Sequence, residues 1–354
     1  MTTVHQLVPN FDYGDAIGNH VRALRRLLRS WGWTSEVYAQ YTHEKLLRDA
    51  HFYTKCREAA SPDHVVIFHF SIGSDVTPFY VDLPCRKVVV YHNITPPEYF
   101  VGVNARVADR CRRGRIELLR LVEATDLALG VSEFNRLELE AAGFRRTGVL
   151  PILLDWQDYD WPPVPAIVNA KAPGTTLLHV GRVAPNKRID ELIKTYYFYR
   201  RLDPRSRLLI VGSSVDTESY QAACLKLARD LGVADRVTFT GPVSQAELCS
   251  YYRVATVYLT LSEHEGFCVP LLEAMYFGLP VVARASTGIP GTMGHAGLLV
   301  TDKDHPTIAE LIHEVVREPT LRDAVVAGQR ERLKAFDAAV IGGQLRHYLS
   351  ELGP

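Results

Sequence analysis

The chain has 354 residues, of which 47% are hydrophobic and 23% are charged, a balance that excludes disorder, collagen-like structure and a long coiled coil. Its 40 basic and 40 acidic residues cancel to a formal net charge of zero. That argues against a general nucleic-acid binder, since such a domain is strongly basic. A chain of this length exceeds the size at which one core usually splits, so we expect two domains.

The start of the chain and the cysteines indicate a compartment. Residues 1–15 lack the basic and then apolar order of a signal peptide, and no apolar run reaches the ~18 residues needed to span a bilayer. The six cysteines form no C-x-x-C pair, which is typical of reduced thiols rather than of a zinc site or disulfide framework. We therefore expect a cytoplasmic protein.

Short apolar runs recur along the first half, separated by stretches long enough for helices. Because these runs are apolar on both faces, they predict parallel strands buried between helix layers. The predicted strands are residues 2–8, 64–70, 87–92 and 126–131. Residues 20–31 place Val21, Leu24, Leu28 and Trp31 on one face and predict a helix.

A proline-rich segment follows. Residues 151–174 contain five prolines and two tryptophans, so a helix or central strand is improbable there and a stiff linker is expected. We accordingly predict a first domain over 1–152, a linker over 153–174 and a second domain over 175–334.

The second half repeats the alternation of strands and helices. Its predicted strands are residues 175–181, 207–212, 236–241, 256–261, 279–283 and 297–300, with a helix over 245–255. The sequence therefore predicts two doubly wound α/β domains. Ligands of such sheets bind outside the carboxyl ends of the strands, so we expect the site in the cleft between the domains.

The densest candidate for chemistry is residues 262–283. Glu265 follows a predicted strand, and Glu273 lies about one turn inside a helix that begins near Pro270. The helix N-terminus favours anions and hydroxyls, and the two carboxylates could accept hydrogen bonds from sugar or ribose hydroxyls. The alternative is an acid at a helix start with one further surface acid.

A second candidate is the turn after the first strand of the second half. Arg182 and Lys187 follow the strand that ends near Gly181. A guanidinium and an ammonium are what a diphosphate needs where no metal neutralises it. The alternative is a solvated basic turn.

Two turns of the first half are weaker candidates. Gly14 and Gly18 follow the first strand and would allow a ligand to approach the backbone, although they do not form G-x-G-x-x-G. His92 ends an apolar strand, where a structural histidine is the alternative to a catalytic one. We expect no metal: the D-x-D at 158–160 lies in the proline-rich segment and not after a strand.

These motifs together resemble retaining glycosyltransferases of the GT-B fold, family 4 of the usual sequence classification. The resemblance spans residues 181–300, with E-x7-E as its most specific motif, and is looser in the first half at the glycine turn, His92 and 131–139. It implies two Rossmann-like domains facing a central cleft, with a C-terminal helix over 335–354 packing back onto the first domain.

The resemblance also implies an activity, the transfer of a hexosyl group from a nucleotide sugar to an acceptor hydroxyl. The donor would be a UDP- or GDP-sugar, no cofactor or metal would be needed, and the acceptor would be a saccharide, a lipid-linked saccharide or a small molecule. Its implied catalytic residues are Glu265, His92, Arg182 and Lys187. Its implied donor contacts are Gly14, Gly18, Gly181, Arg182, Lys187, Gly212, Glu265, Gly266, Phe267, Cys268, Val269 and Glu273.

Some positions depart from the family pattern. PILLD at 151–155 lacks the usual glycine, Gly291 stands where a glutamate is frequent, and Cys268 replaces a common glycine. The first two differences put recognition of the acceptor and the base in doubt, and all three leave the two cations and the two glutamates in place.

Arginines cluster in two segments of the first half and could form a surface for an anionic membrane at the inner face of the cell. They are Arg22, Arg25, Arg26, Arg29, Arg106, Arg110, Arg112, Arg113 and Arg115. A solvated face, or pairing with acids of the chain itself, is the alternative.

Three activities fit the sequence. A retaining glycosyltransferase leads, a sugar phosphorylase or nucleotide-sugar epimerase of the same fold is the second, and a non-catalytic sugar-nucleotide-binding subunit is the third. The third is disfavoured because both glutamates and both cations are present.

Overall fold

The computed structural model describes residues 2–170 and 173–352. The chain divides into two compact units, each of which is described by itself. The first comprises the chain through Glu98, Arg106–Asp155 and the chain from Ala335 onward, and the second comprises Tyr99–Ala105 and Trp156–Lys334. Within the described ranges, no helix combines the length and hydropathy that crossing a bilayer requires.

The first unit is built on a seven-stranded sheet in which every neighbouring pair is parallel. Its strands are β1 (Val4–Phe11), β2 (Val37–Thr42), β3 (His51–Phe52), β4 (Val65–Phe70), β5 (Arg86–Tyr91), β6 (Leu127–Gly130) and β7 (Thr147–Val149), in the order β3-β2-β1-β4-β5-β6-β7. Its first helices are α1 (Ala16–Ser30), α2 (Cys56–Ala59), α3 (Val76–Val81), α4 (Ala105–Leu121) and α5 (Glu133–Ala142).

The second unit is built on a six-stranded parallel sheet. Its strands are β8 (Thr176–Val180), β9 (Arg207–Val211), β10 (Val237–Phe239), β11 (Val257–Thr260), β12 (Val281–Arg284) and β13 (Leu298–Val300), in the order β10-β9-β8-β11-β12-β13. Its helices are α6 (Pro165–Val168), α7 (Ile189–Leu202), α8 (Glu218–Asp230), α9 (Gln245–Val254), α10 (Val269–Tyr276), α11 (Ile289–Met293), α12 (His305–Arg317) and α13 (Pro319–Leu333).

The last helix, α14 (Ala338–Ser350), belongs to the first unit. Tyr348 lies against β7, where its hydroxyl oxygen accepts the amide hydrogen of Val149 at 3.1 Å. Arg346 places its guanidinium 4.4 Å from the ring centroid of Trp31, at the end of α1. The buried Leu345 completes an apolar face that ties this helix to the first unit.

The strand order fixes where polar side chains can gather. In each sheet the order reverses between two adjacent strands, β1 and β4 in the first unit and β8 and β11 in the second. The loops that leave these strands at their carboxyl ends diverge to opposite faces of the sheet, which opens a crevice there. The strands beneath are almost wholly buried, so the crevice has a rigid apolar floor.

The structure corrects three expectations. Strands β2, β3 and β7 were not predicted: β2 carries polar and exposed residues such as Gln40 and Tyr41, and the other two have two and three residues, so none forms an apolar run. The predicted linker over 153–174 is not separate, because the second unit begins at Trp156 and α6 forms within it, with Pro165 in its first turn. Residues 99–105, predicted in the first domain, cluster with the second unit.

Candidate functional site

A buried ion pair lies at the point where the strand order of the second unit reverses. Lys187 ends a short helical turn after β8, and Glu265 lies in the loop after β11. The Lys187 Nζ is 2.7 Å from Oε1 and 2.6 Å from Oε2 of Glu265. The Glu265 side chain is only 7% exposed and that of Lys187 20%. The structure therefore brings together two of the residues predicted from separate motifs.

Lys187 keeps its charge in spite of burial. Burial alone disfavours the ammonium and lowers the pKa of Lys187, but the charge of Glu265 and its hydrogen bonds outweigh this, so the pKa of Lys187 is raised. Removing either partner would leave the other charge buried and uncompensated, which costs about 3–5 kcal/mol.

The loop that carries Glu265 is fixed by a segment that the motif analysis did not single out. The amide of Glu265 donates to Thr287 Oγ1 at 2.8 Å, and that hydroxyl donates to the Glu265 carbonyl at 2.9 Å. The amide of Gly288 donates to the same carbonyl at 3.0 Å. Thr287 has a φ of 45°, a left-handed conformation that non-glycine residues rarely adopt. The backbone of Glu265 is thus held by the loop after β12, whereas its carboxylate is held by Lys187.

Arg182 lies in the same turn as Lys187 but is more exposed. Its Nη2 donates to the Val215 carbonyl at 3.0 Å and is 3.9 Å from a carboxylate oxygen of Asp216. Its positive charge lowers the pKa of Lys187, although burial and Glu265 have larger effects. Both predicted cations therefore face the same part of the second unit.

Gly212 permits the turns after β8 and β9 to touch. It has a φ of 143°, and a Cβ there would lie 2.1 Å from the carbonyl oxygen of Gly181. Any side chain at this position would force the two turns apart. The structure thus gives Gly212 a packing role beside the two cations.

Glu273 lies in the second turn of α10, as its spacing predicted, but its surroundings were not foreseen. Tyr159 donates its hydroxyl to Oε1 at 2.7 Å and Tyr252 donates to Oε2 at 2.6 Å. Burial raises the pKa of Glu273, and the two hydroxyls offset part of that rise. Tyr159 comes from the segment predicted to be a linker, and the structure buries it. In the sequence, the available signal was a tyrosine between two acids in DYD.

The start of α10 explains one departure from the family pattern. Cys268 precedes the first helical residue, Val269, and has a φ of 70°, where glycine is the usual residue. Phe267 and Cys268 are buried, and the Phe267 carbonyl accepts the Thr292 hydroxyl at 2.6 Å. Gly266 lies between this helix start and Glu265, so all four predicted positions after Glu265 sit at one helix N-terminus.

The glycine turn of the first unit differs from the prediction at one position. Gly14 adopts a φ of 82° in the turn after β1. Gly18 is already inside α1, and its amide donates to the Asp15 carboxylate at 2.6 Å, so that carboxylate caps the helix. This amide is committed to Asp15, and the donor contact expected at Gly18 stays a prediction. Burial raises the pKa of Asp15 to about 7.

His92 lies after β5, beside two further histidines. Its Nε2 is 3.0 Å from Nδ1 of His69, whose Nε2 is 3.0 Å from Oε1 of Gln6. His20, on α1, lies with its ring centroid 5.5 Å from that of His92. Only His92 carried weight in the motif analysis. A polar residue inside β1, at the position of Gln6, was the signal that could have revealed the rest.

Most of the clustered arginines have acidic partners. On α1, Arg25 pairs with Asp49 at 2.5 Å, Arg26 with Asp155 at 2.9 Å and Arg29 with Glu36 at 2.7 Å. On α4, the acid-paired arginines are Arg112 with Asp109, Arg113 with Asp75 and Glu117, and Arg115 with Glu138. Three of the four α1 arginines, Arg25, Arg26 and Arg29, thus follow the alternative in which they pair with acids of the chain itself.

Comparisons with known proteins show where the chain belongs. The model of the family described as glycosyl transferases group 1 matches residues 165–332. A GDP-mannose-dependent alpha-(1-6)-phosphatidylinositol monomannoside mannosyltransferase of Mycobacterium tuberculosis is 31% identical over 297 residues, which cover 72% of this chain and 75% of that protein. The chain belongs to the group 1 glycosyl transferases. Both predicted motifs of the second unit lie inside the region that the family model matches.

Other relatives of this group 1 glycosyl transferase match over shorter regions. A D-inositol 3-phosphate glycosyltransferase of Frankia alni is 38% identical over 51% of this chain, and one of Kineococcus radiotolerans is 30% identical over 61%. The chain spans about half the length of these two relatives, 46% and 55%.

Solved structures agree on the fold. A sucrose-phosphate synthase of Thermosynechococcus elongatus superposes with a TM-score of 0.77 at 20% identity, over 99% of both chains. The Anabaena protein Alr3699/HepE in complex with UDP-glucose superposes with a TM-score of 0.78 at 19% identity, over 99% of this chain and 100% of that one. The prediction of a GT-B fold is confirmed.

The surroundings of Glu273 make a testable prediction about pH. Because its folded pKa is raised, its contribution to the unfolding free energy is full below the ordinary pKa of a glutamate and is lost as pH rises through the folded pKa. Tyr252→Phe removes one hydroxyl from the carboxyl. We expect it to cost about 1 kcal/mol when Glu273 is protonated and about 2–3 kcal/mol when it is ionised.

Urea unfolding over a series of pH values that spans the titration of Glu273 measures this difference. Tyr196→Phe is the matched control, because that buried hydroxyl donates to the Ser206 carbonyl and not to a carboxylate. An equal change with pH in both variants would contradict the assignment.

Proposed function

We propose that this chain is a retaining glycosyltransferase that moves a hexosyl group from a nucleotide-sugar donor to an acceptor hydroxyl. The observation that carries the proposal is the buried Lys187–Glu265 pair at the strand reversal of the second unit. A preorganised cation beside a preorganised carboxylate suits a ligand that carries both phosphate and hydroxyl groups.

The cations would act on the leaving diphosphate. An ammonium has three N–H donors, and Glu265 takes two of those of Lys187, which leaves one for a phosphate oxygen. Arg182 can add its planar guanidinium. As the bond from the anomeric carbon to the phosphate oxygen breaks, its electron pair goes to that oxygen, and the two cations stabilise the growing charge.

The carboxylates would orient the donor. We assign Glu265 to a hydroxyl of the transferred sugar, since its other contacts hold it rigidly in the loop. We assign Glu273 to the ribose hydroxyls: each of its oxygens accepts one tyrosine hydroxyl and keeps further lone-pair capacity. The donor contacts proposed for Gly14 and His92 rest on the family resemblance.

We further propose that the acceptor oxygen attacks the face from which the diphosphate leaves. Its proton then passes to the departing phosphate oxygen, and the product keeps the anomeric configuration of the donor. The protein's cations neutralise the diphosphate in this scheme, so we expect transfer to persist after divalent metals are chelated.

The names of similar proteins suggest which donors to try first. The Mycobacterium tuberculosis relative is named for its dependence on GDP-mannose, and the Anabaena structure holds UDP-glucose. We therefore propose GDP-mannose and UDP-glucose as the first donors, with inositol-containing and lipid-linked acceptors as the first acceptors.

The test is release of the nucleoside diphosphate and formation of glycoside. Glu265→Gln keeps the shape of the side chain but removes the charge that Lys187 needs, and we expect transfer to fall about 100-fold or more. Lys187→Gln should fall comparably, whereas Lys226→Gln, which loses only an exposed pair with Asp230, should keep normal transfer. The product anomer, read by NMR, should match the donor.

Should a single variant fail to fold, the double variant Lys187→Gln, Glu265→Gln removes both charges together and avoids a lone buried charge. Transfer at the normal rate by a folded Glu265→Gln, Lys187→Gln or double variant would contradict the proposed site. An inverted product would contradict the mechanism.

We also propose that α4, rather than α1, contacts an anionic membrane. Ile116 and Leu119 are 53% and 60% exposed on this helix, next to a surface groove of about 440 Å³ that Arg112 also lines. Apolar side chains that insert and arginines that meet lipid phosphates are the two components such a surface needs. Arginines of both helices are paired with acids, so α4 is favoured over α1 because of its exposed apolar side chains, Ile116 and Leu119.

Co-sedimentation with vesicles tests this surface. The protein should pellet with vesicles rich in phosphatidylglycerol at low salt and stay in the supernatant with phosphatidylcholine. The double variant Ile116→Glu, Leu119→Glu should lose pelleting, whereas Leu137→Glu, on the similarly exposed face of α5, should not. Pelleting that is unchanged in the double variant, or absent in the wild type, would contradict the proposal.

A further inference from the structure

Three histidines of the first unit are packed together. His20 lies on α1, His69 in β4 and His92 after β5, and one nitrogen of each lies within 4.8 Å of one nitrogen of the others. His20 and His69 are fully buried. Imidazoles at such a spacing can hold a transition metal, so the first question is whether their lone pairs are free.

The proton on His69 is fixed by Gln6. The Gln6 Nε2 donates to the Val21 carbonyl at 3.1 Å, and because a carbonyl only accepts, this bond fixes which end of the amide is which. The amide oxygen of Gln6 therefore faces His69, at 3.0 Å from Nε2. His69 must carry its proton on Nε2 and its lone pair on Nδ1.

That proton order passes to His92. The lone pair on His69 Nδ1 faces Nε2 of His92 at 3.0 Å, so His92 must donate from Nε2. Burial, followed by the neighbouring histidines, lowers the pKa of both rings well below the ordinary value, which keeps each ring neutral. A neutral His92 that is protonated on Nε2 has its lone pair on Nδ1.

The tautomer of the third ring, His20, is fixed by a backbone amide. The Leu153 amide donates to Nδ1 of His20 at 2.8 Å, so the neutral His20 carries its proton on Nε2. Burial lowers the pKa of His20 to about 4. A metal needs lone pairs, and those of His20 and His69 are already used. The trio therefore offers one lone pair, on His92, which is too few for a metal.

Within the part of the chain that the structure describes, two ring nitrogens of the trio remain unpaired, and one is a hydrogen-bond donor while the other is an acceptor. His20 Nε2 and His92 Nδ1 are buried without a hydrogen-bond partner among the described residues. The first is a donor and the second an acceptor. One set of hydrogen bonds runs from His92 through His69 and Gln6 to the Val21 carbonyl, and a separate bond runs from the Leu153 amide to His20. The two sets have the same direction and are interrupted between the rings of His20 and His92, whose centroids lie 5.5 Å apart. Burial of an unpaired donor or acceptor destabilises the fold, so a group that hydrogen-bonds to both atoms is favoured.

We propose that this interruption binds one hydroxyl group, which donates to His92 Nδ1 and accepts from His20 Nε2, and that Gln6 and His69 are positioning residues for it. A hydroxyl is the one common group that both donates and accepts through the same oxygen. It belongs either to a buried water or to a saccharide. The saccharide source rests on the proposed function, whereas the proton order and the water source do not.

The direct test is the protonation pattern in the full chain. Two-bond proton–nitrogen NMR on protein labelled with 15N-histidine distinguishes a nitrogen that carries hydrogen from one that carries a lone pair. All three rings should have hydrogen on Nε2 and a lone pair on Nδ1. Hydrogen on Nδ1 of any of them, or stoichiometric binding of added Zn²⁺ that shifts all three rings, would overturn the proposal.

Variants of Gln6 test the direction of the relay. Gln6→Leu removes the acceptor for His69, so we expect His69 and His92 to populate the opposite tautomer. Gln6→Glu retains an acceptor oxygen and should preserve the wild-type pattern. Gln329→Leu is the matched control, since it removes a buried glutamine with two comparable backbone hydrogen bonds in the second unit and should leave all three rings unchanged. Unaltered tautomers in a folded Gln6→Leu protein would contradict the proposal that Gln6 sets the protons of His69 and His92. If that variant does not fold, the protonation pattern of the wild-type protein still tests the proposal.

Adding saccharides identifies the source of the hydroxyl. If the His92 Nδ1 signal already shows a hydrogen bond without sugar and does not respond to mannose, UDP-glucose or GDP-mannose, the hydroxyl is that of a water. If the signal moves only when one of these is added, the hydroxyl is that of the saccharide. A free lone pair under every condition would overturn the proposal. These spectra do not depend on transfer activity. A failure of the proposed function would therefore appear in the transfer assay and not in the spectra.

Discussion

The buried side chain of Glu265 lies against the ammonium of Lys187, and each of the two groups compensates the burial of the other. The two side chains come from loops that follow the adjacent strands β8 and β11, so the ion pair also fixes the distance between these loops. Thr287 and Gly288 then hold the backbone of Glu265 from a third loop, after β12. A rearrangement of this crevice would have to separate the two charged groups, and little water is present there to solvate either of them once its partner has moved away. The crevice is therefore rigid before a ligand binds.

The two units accommodate buried polar side chains in different ways. Both sheets are parallel, and in both the polar side chains collect near the point where the strand order reverses. The second unit keeps buried charges and pairs them. The first unit keeps buried imidazoles neutral and orders their protons through Gln6 and the Leu153 amide. A paired charge suits an anionic ligand, and an ordered neutral chain suits a hydroxyl.

The fold was largely predictable because buried parallel strands leave a simple pattern of apolar runs. Strand β2 escaped prediction because it ends in polar and exposed residues, and the edge strands β3 and β7 escaped because they are very short. Glu265, Glu273 and Lys187 were predictable because they fall next to strand or helix ends. Their partners Tyr159, Tyr252 and Thr287 were not, because each comes from a distant segment and only the folded chain brings it close. Gln6 and His69 only position His92, so neither residue forms a motif of its own.

The central claim is that the cations of the second unit recognise a diphosphate. Calorimetric titration of the full chain with UDP, GDP and the corresponding monophosphates tests it most directly. We expect at least one diphosphate to bind about 10-fold or more tightly than its monophosphate, as one added charge-assisted hydrogen bond implies, and Lys187→Gln to abolish that preference. Equal binding of both ligands to the wild type, or an unchanged preference in the folded variant, would contradict the account.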